Sequence, residues 1–126
     1  MDRKQMAVDL KHSGCNCAQA VVAAFTDLTG MTTEEAFAAG AAFGTGMGCL
    51  KATCGALIGA GIVLGKLSYG SGPVPPKARQ LLTEFEKQCG ATICGDLKGA
   101  GTGKVLCPCD DCVRNAVAIL ERMITP

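Results

Sequence analysis

The chain has 126 residues, a net charge of +1, 48% apolar side chains and only 4% aromatic ones. That length suits one domain spanning 1–126, able to bury a core of small aliphatic side chains without covalent staples. The charges are mixed in sign and form no basic stripe that could release counterions from a phosphate backbone, so a nucleic-acid partner is excluded.

The predicted elements are helical throughout, with no alternating strand pattern. The opening Met1-Asp2-Arg3-Lys4-Gln5-Met6 is charged and does not read as a secretory leader. A first helix runs from Asp2 to Lys11 and ends at His12-Ser13-Gly14. A second is expected from about Asn16 to Leu28, with Cys17, Val21, Ala24, Phe25 and Leu28 on one stripe. Thr32 with Glu35 forms a capping-box signature for a third helix that reaches Phe43. The glycine-rich turn Gly44-Thr45-Gly46-Met47-Gly48 follows.

An apolar helix from about Thr53 to Tyr69 comes next, carrying Gly55, Gly59, Gly61 and Gly65. Each glycine costs roughly 1 kcal/mol against alanine in a helix, so close packing of a backbone or cofactor must compensate. These small-residue faces also allow a homodimer. The uncharged stretch between Lys51 and Lys66 falls short of the roughly 18–20 residues of a membrane span, so a buried helix is expected there.

The linker Gly70-Ser71-Gly72-Pro73-Val74-Pro75-Pro76 leads into a helix with Leu81, Phe85 and Cys89 at steps of four. Residues 91–106 read as a connection without a period. A last helix starts near Asp110 and buries Val113, Ala116, Val117, Leu120 and Met123. The fold expected is an all-α single-domain bundle of about six helices, with cysteines at helix starts and in loops.

The chemistry-bearing residues are nine cysteines: Cys15, Cys17, Cys49, Cys54, Cys89, Cys94, Cys107, Cys109 and Cys112. An odd number cannot close entirely into internal disulfides. In a chain expected to reside in a reducing cytoplasm, such a pattern points to metal binding or redox work. Cys107, Cys109 and Cys112 form a C-x-C-x-x-C run at a helix start, where the dipole favours a thiolate at Cys112. Cys49 with Cys54, and Cys89 with Cys94, are spaced C-x4-C. That offset is about 140° on a continuous helix, so a break is needed before either pair could share a metal. Cys89, on the Leu81/Phe85 stripe, reads equally well as a small buried hydrophobe. Two tidy C-x-x-C knuckles of a zinc site are missing.

Other signals are weaker. The Gly44–Gly48 turn follows a helix, not the strand a dinucleotide loop needs, and Gly101-Thr102-Gly103-Lys104 departs from a phosphate loop at Lys98 and Val105. No C-x-x-C-H occurs, which excludes covalent haem. His12, the only histidine, reads as a surface residue, and Asp110-Asp111 as helix-capping residues.

Cys17-Ala18-Gln19-Ala20, Phe43-Gly44-Thr45-Gly46-Met47-Gly48, Cys54-Gly55-Ala56-Leu57-Ile58-Gly59, Cys94-Gly95-Asp96-Leu97-Lys98-Gly99 and Cys112 opening a final helix follow in order. This succession resembles the C_GCAxxG_C_C family, whose members are described as redox-active and resemble the non-haem part of split-Soret cytochromes. The resemblance implies an iron–sulfur cluster on Cys17, Cys54, Cys94 and Cys112, with Cys49, Cys107 and Cys109 as accessory candidates. It implies electron transfer or redox sensing with a partner protein. The alternatives are a thiol–disulfide oxidoreductase using Cys109 and Cys112, with Cys107 resolving, and a structural zinc module. Cys15, Cys49 and Cys89 receive no role of their own.

Overall fold

The computed structural model describes residues 2–124, which are all-α, with 68% helix and no sheet. Helix α1 (Arg3–His12) starts at Asp2, whose carboxylate accepts from the Lys4 amide at 3.1 Å. Helix α2 (Cys17–Ala23) opens with a capping box: the Asn16 side chain accepts from the Gln19 amide at 2.8 Å, and the Gln19 side chain accepts from the Asn16 amide at 2.9 Å. The chain bends at Ala24-Phe25, so the expected second helix divides into α2 and the short α3 (Thr26–Thr29). Helix α4 (Thr33–Gly40) carries the expected Thr32/Glu35 capping box but ends before Phe43.

The chain after it winds through one π-type turn, Gly46–Leu50, with positive φ at Thr45 just before it and at Met47 and Leu50 within it. Helix α5 (Gly55–Ser68), α6 (Pro75–Cys89) and α8 (Cys109–Ile124) match the expected long helices to within a few residues. The segment expected to be periodless holds another short helix, α7 (Cys94–Lys98). The expected six helices are thus eight α-helices and a π turn among the described residues, because the second expected helix divides, one short helix hides in a loop and the glycine-rich turn coils on itself.

Helix α2 is the hub, packed against α1, α4, α5 and α8. All of its residues are buried save Gln19. Gly59 explains how α5 comes so near: a methyl there would stand 2.8 Å from the Ala18 carbonyl oxygen. Gly40 does the same for α4, where a methyl would meet the Gln19 amide nitrogen at 2.7 Å. The glycines lower helix propensity, and close backbone packing offsets that loss. On the far side of α5, Gly61 and Gly65 have open space beside them.

Phe25, Val21, Val22, Val63, Phe85, Leu97, Val113, Val117, Ile119 and Leu120 fill the core. Arg3 lies over the Phe25 ring at 4.6 Å and bonds Asp27, with Glu121 at 3.5 Å, tying α1 to α3 and α8. No helix among the described residues is long and apolar enough to cross a membrane.

Candidate metal and redox centre

The site begins with backbone pairing. Thr53 and Ile93 form an isolated antiparallel bridge. The Cys54 amide donates to the Thr92 carbonyl at 2.7 Å, and the Cys94 amide donates to the Ala52 carbonyl at 2.9 Å. Two segments 40 residues apart in sequence are thereby clasped just where each turns into a helix, so Cys54 precedes α5 and Cys94 opens α7. Cys17 opens α2 and Cys109 opens α8, with Cys112 inside the first turn of α8.

Small residues let these helix ends meet. A methyl on Gly55 would stand 2.7 Å from the Phe43 carbonyl and 3.4 Å from the Cys17 Cβ. On Gly46, whose φ of +58° itself favours glycine, it would stand 2.7 Å from the Cys94 Cβ.

Cys17, Cys54, Cys94, Cys109 and Cys112 line one small cavity together with Thr45, Gly55, Leu97 and Lys98. About 10 Å³ of it is open to the centre of a water-sized sphere, room for roughly one water. Cys89 and Cys107 are not among the residues that line this cavity. The sulfurs of Cys89, Cys107 and Cys112 are all within 4.8 Å of one another, and the three residues are buried, so this triad could hold a metal ion. The Asn115 Nδ2 donates to the Cys89 sulfur at 3.3 Å and to the Cys107 sulfur at 3.9 Å. The chain holds its thiols free, with no disulfide among the nine cysteines.

The thiols differ electrostatically. Cys54 is lowered to about 7 by its hydrogen bond with Cys112, helped by the Ala56 and Leu57 amides at the start of α5, against the effect of burial. Cys89 is lowered to about 6, again chiefly through Cys112, with Asn115 and Cys107 adding to it. Cys112 itself is pushed far up by those bonds to Cys54 and Cys89 and by burial. It also faces the Cys107 carbonyl at 3.5 Å. One S–H therefore serves three acceptors, and it can satisfy only one at a time. The helix-dipole expectation of a thiolate at Cys112 gives way to lowered values at Cys54 and Cys89, because the Cys112 S–H is the donor that both of their sulfurs share.

Burial raises Cys17 to about 12 and Cys107 to about 11, and it also raises Cys94 and Cys15. Burial alone would lower Lys98, but its hydrogen bond with Cys109 and the nearby Cys94 and Cys17 raise it on balance. Lys98 is thus a cation set among sulfurs.

All four cysteines of the resemblance lie on the cavity, and of the accessory candidates Cys109 joins them. Cys107 belongs to the triad instead, while Cys49 is exposed, its sulfur donating to the Gly46 carbonyl at 3.7 Å. Neither C-x4-C pair acts as a unit. Gly90 breaks the chain at φ +94°, as anticipated, but Cys89 goes to the triad and Cys94 to the cavity. His12 bonds Asp110 at 2.8 Å and approaches no cysteine in that bond. Asp110 and Asp111 stand inside the first turn of α8, held by His12 with Lys11 and by Arg114.

Sequence reasoning missed Lys98, Asn115 and the metal-compatible placement of Cys89. Lys98 lies four residues after Cys94 and Asn115 three after Cys112, spacings that share a helix face once the helix is known.

The fold and site define a small all-α protein whose helix ends and one loop gather thiols into two adjoining groups. A family model described as "Putative redox-active protein (C_GCAxxG_C_C)" matches residues 15–123, and the chain belongs to that family. No curated protein and no solved structure matches the chain.

Proposed function

We propose that this protein binds an iron–sulfur cluster through Cys17, Cys54, Cys94 and Cys112 and serves in one-electron transfer or redox sensing with a partner protein. The observation that carries the reading is the convergence of these four thiols, with Cys109, on one cavity at the starts of four helices. The donor set fits: soft sulfur ligands favour iron–sulfur chemistry, and helix N-termini stabilise the negative charge of thiolates.

When bound, such a group supplies a one-electron redox couple. The residues supply the rest. Cys54 is already the most readily ionised of the four. Lys98 adds a positive charge opposite the thiolates, and Leu97 and Gly55 close the wall against water. A reducing cytoplasm is the compartment in which free thiols persist.

A thiol-exchange enzyme working through Cys109 and Cys112 is less well supported, because Cys112 is held as the thiol and is almost completely buried. Zinc in place of iron is the competing occupant. Anaerobic purification followed by visible spectroscopy and iron, sulfide and zinc analysis tests the reading. Iron with sulfide in the wild type, and loss of the chromophore in Cys54→Ser, is the expected result. An intact cluster in Cys54→Ser, or stoichiometric zinc without iron, would overturn it.

A further inference from the structure

We propose that Cys89, Cys107 and Cys112 form a second, mononuclear site for a thiophilic divalent ion of the zinc class, with Asn115 as the residue that orients its sulfurs. The site shares Cys112 with the cavity but does not rest on the cluster reading, since Cys89 and Cys107 lie outside the cavity wall.

Three observations converge. The three sulfurs lie within 4.8 Å of one another. Thiolates arranged tetrahedrally around one zinc or iron at about 2.3 Å stand roughly 3.8 Å apart, inside that limit, so a small closing movement completes the set. The residues are 3%, 5% and 2% exposed, so an ion there would sit in a dry, soft-ligand pocket of the kind that selects zinc over harder cations. The third observation is Asn115. Its amide nitrogen reaches both the Cys89 and the Cys107 sulfur, as the outer partners of metal ligands do. Packing alone gives no reason for an amide to be aimed at two buried sulfurs.

The three ligands come from separate elements: the last residue of α6, the loop after α7 and the first turn of α8. The Leu106 and Cys107 amides both donate to the Leu97 carbonyl, at 2.9 and 3.2 Å, which pins that loop. Binding replaces thiol protons by the ion, and those protons pass to solvent. An ion here would join the end of α6, the loop before α8 and the first turn of α8 through one centre.

The test uses the full chain, stripped of metal under anaerobic conditions and titrated with Co(II) and then Zn(II). Co(II) gives a thiolate charge-transfer band, and chelator competition gives the Zn(II) affinity. Expected is one tightly bound ion in the wild type and in Cys17→Ser and Cys94→Ser. Asn115→Ala should lose roughly 10–100-fold in affinity, the usual effect of an outer partner, and Cys89→Ser and Cys107→Ser should lose more.

Retention of wild-type affinity in Cys89→Ser and Cys107→Ser would overturn the proposal, as would loss of the ion in Cys17→Ser and Cys94→Ser. Absence of the thiolate band from the wild type would also overturn it. Ellipticity of the same samples reads folding, and Asn115→Ala probes the site without removing a sulfur. Iron and sulfide content in the same variants separates the two readings: Cys89→Ser should keep a cluster while losing zinc.

Discussion

Replacing Gly59 by alanine tests whether the cysteine groups depend on the contact of α5 with α2. The added methyl would stand 2.8 Å from the Ala18 carbonyl oxygen and 3.1 Å from both the Ala18 Cα and the Val21 Cβ. Two of those atoms are backbone, so the clash is relieved only by moving a helix. Overpacking of this kind costs about 1–3 kcal/mol, and a backbone neighbour puts it at the upper end. Alanine regains about 1 kcal/mol of helix propensity, which leaves a net loss of roughly 1–2 kcal/mol.

Gly61→Ala and Gly65→Ala are internal controls on the same helix. Nothing lies within 4 Å of either added methyl, so each should gain up to about 1 kcal/mol. Thermal unfolding of the reduced, metal-free protein by circular dichroism measures the difference. At roughly 3–5 °C per kcal/mol for a chain of this size, Gly59→Ala should melt about 3–15 °C below Gly61→Ala. Equal melting temperatures, or a more stable Gly59→Ala, would refute the account of why the helix carries glycine there.

Ultraviolet titration of thiolate absorbance in the metal-free protein should show ionisation steps near 6 and 7 from the coupled Cys54, Cys89 and Cys112 group. Cys112→Ala should move both upward, and a wild type without thiolate absorbance below pH 8 would contradict the hydrogen-bond assignment.

Stability should fall with rising pH above about 8.5, where unfolded thiols ionise while Cys17, at about 12, and Cys107, at about 11, keep their protons in the fold. The sign follows from raised folded values: the stabilisation is complete below the unfolded value and lost as pH climbs toward the folded one. Each such thiol contributes a slope of up to about 1.4 kcal/mol per pH unit, and denaturant unfolding of Cys17→Ala between pH 8.5 and 10 should show one slope fewer.

The long helices were legible because their signals are local. The Thr32/Glu35 capping box, the Leu81/Phe85/Cys89 stripe and the proline start of α6 each act within a few residues. Division of the second helix at Phe25 was not legible, because Phe25 serves the core on the far side of the bend and its apolar spacing continues the stripe. Helix α7 was hidden because its five residues are too few to show a period, and the Thr53–Ile93 bridge that anchors its start is non-local.

At the site, the four cysteines named from the family resemblance all line the cavity, and Cys109 joins them without having been among them. The division of the cysteines into a cavity and a triad was not legible, since Cys89 joins Cys107 and Cys112 only when α6 and α8 pack together. The glycines of α5 were all read as needing a close neighbour: the Phe43 carbonyl is that neighbour for Gly55 and the α2 backbone for Gly59, but Gly61 and Gly65 have none.

The clasp between Thr53 and Ile93 has a consequence for how this chain tolerates change. It is made by main-chain groups, so the register of Cys54 against Cys94 does not depend on which side chains stand at Ala52, Thr53, Thr92 or Ile93, provided that Cys54 and Cys94 keep their amides. Everything between the two ends of the clasp is a closed excursion: α5 out, the exposed Gly70–Pro73 turn, α6 back. Lengthening that turn enlarges the loop at a cost that grows only logarithmically, and it leaves the mouth of the excursion unmoved. The distal turn is therefore a place for insertions, tags or grafted sequences, while the sulfur-bearing base stays in register.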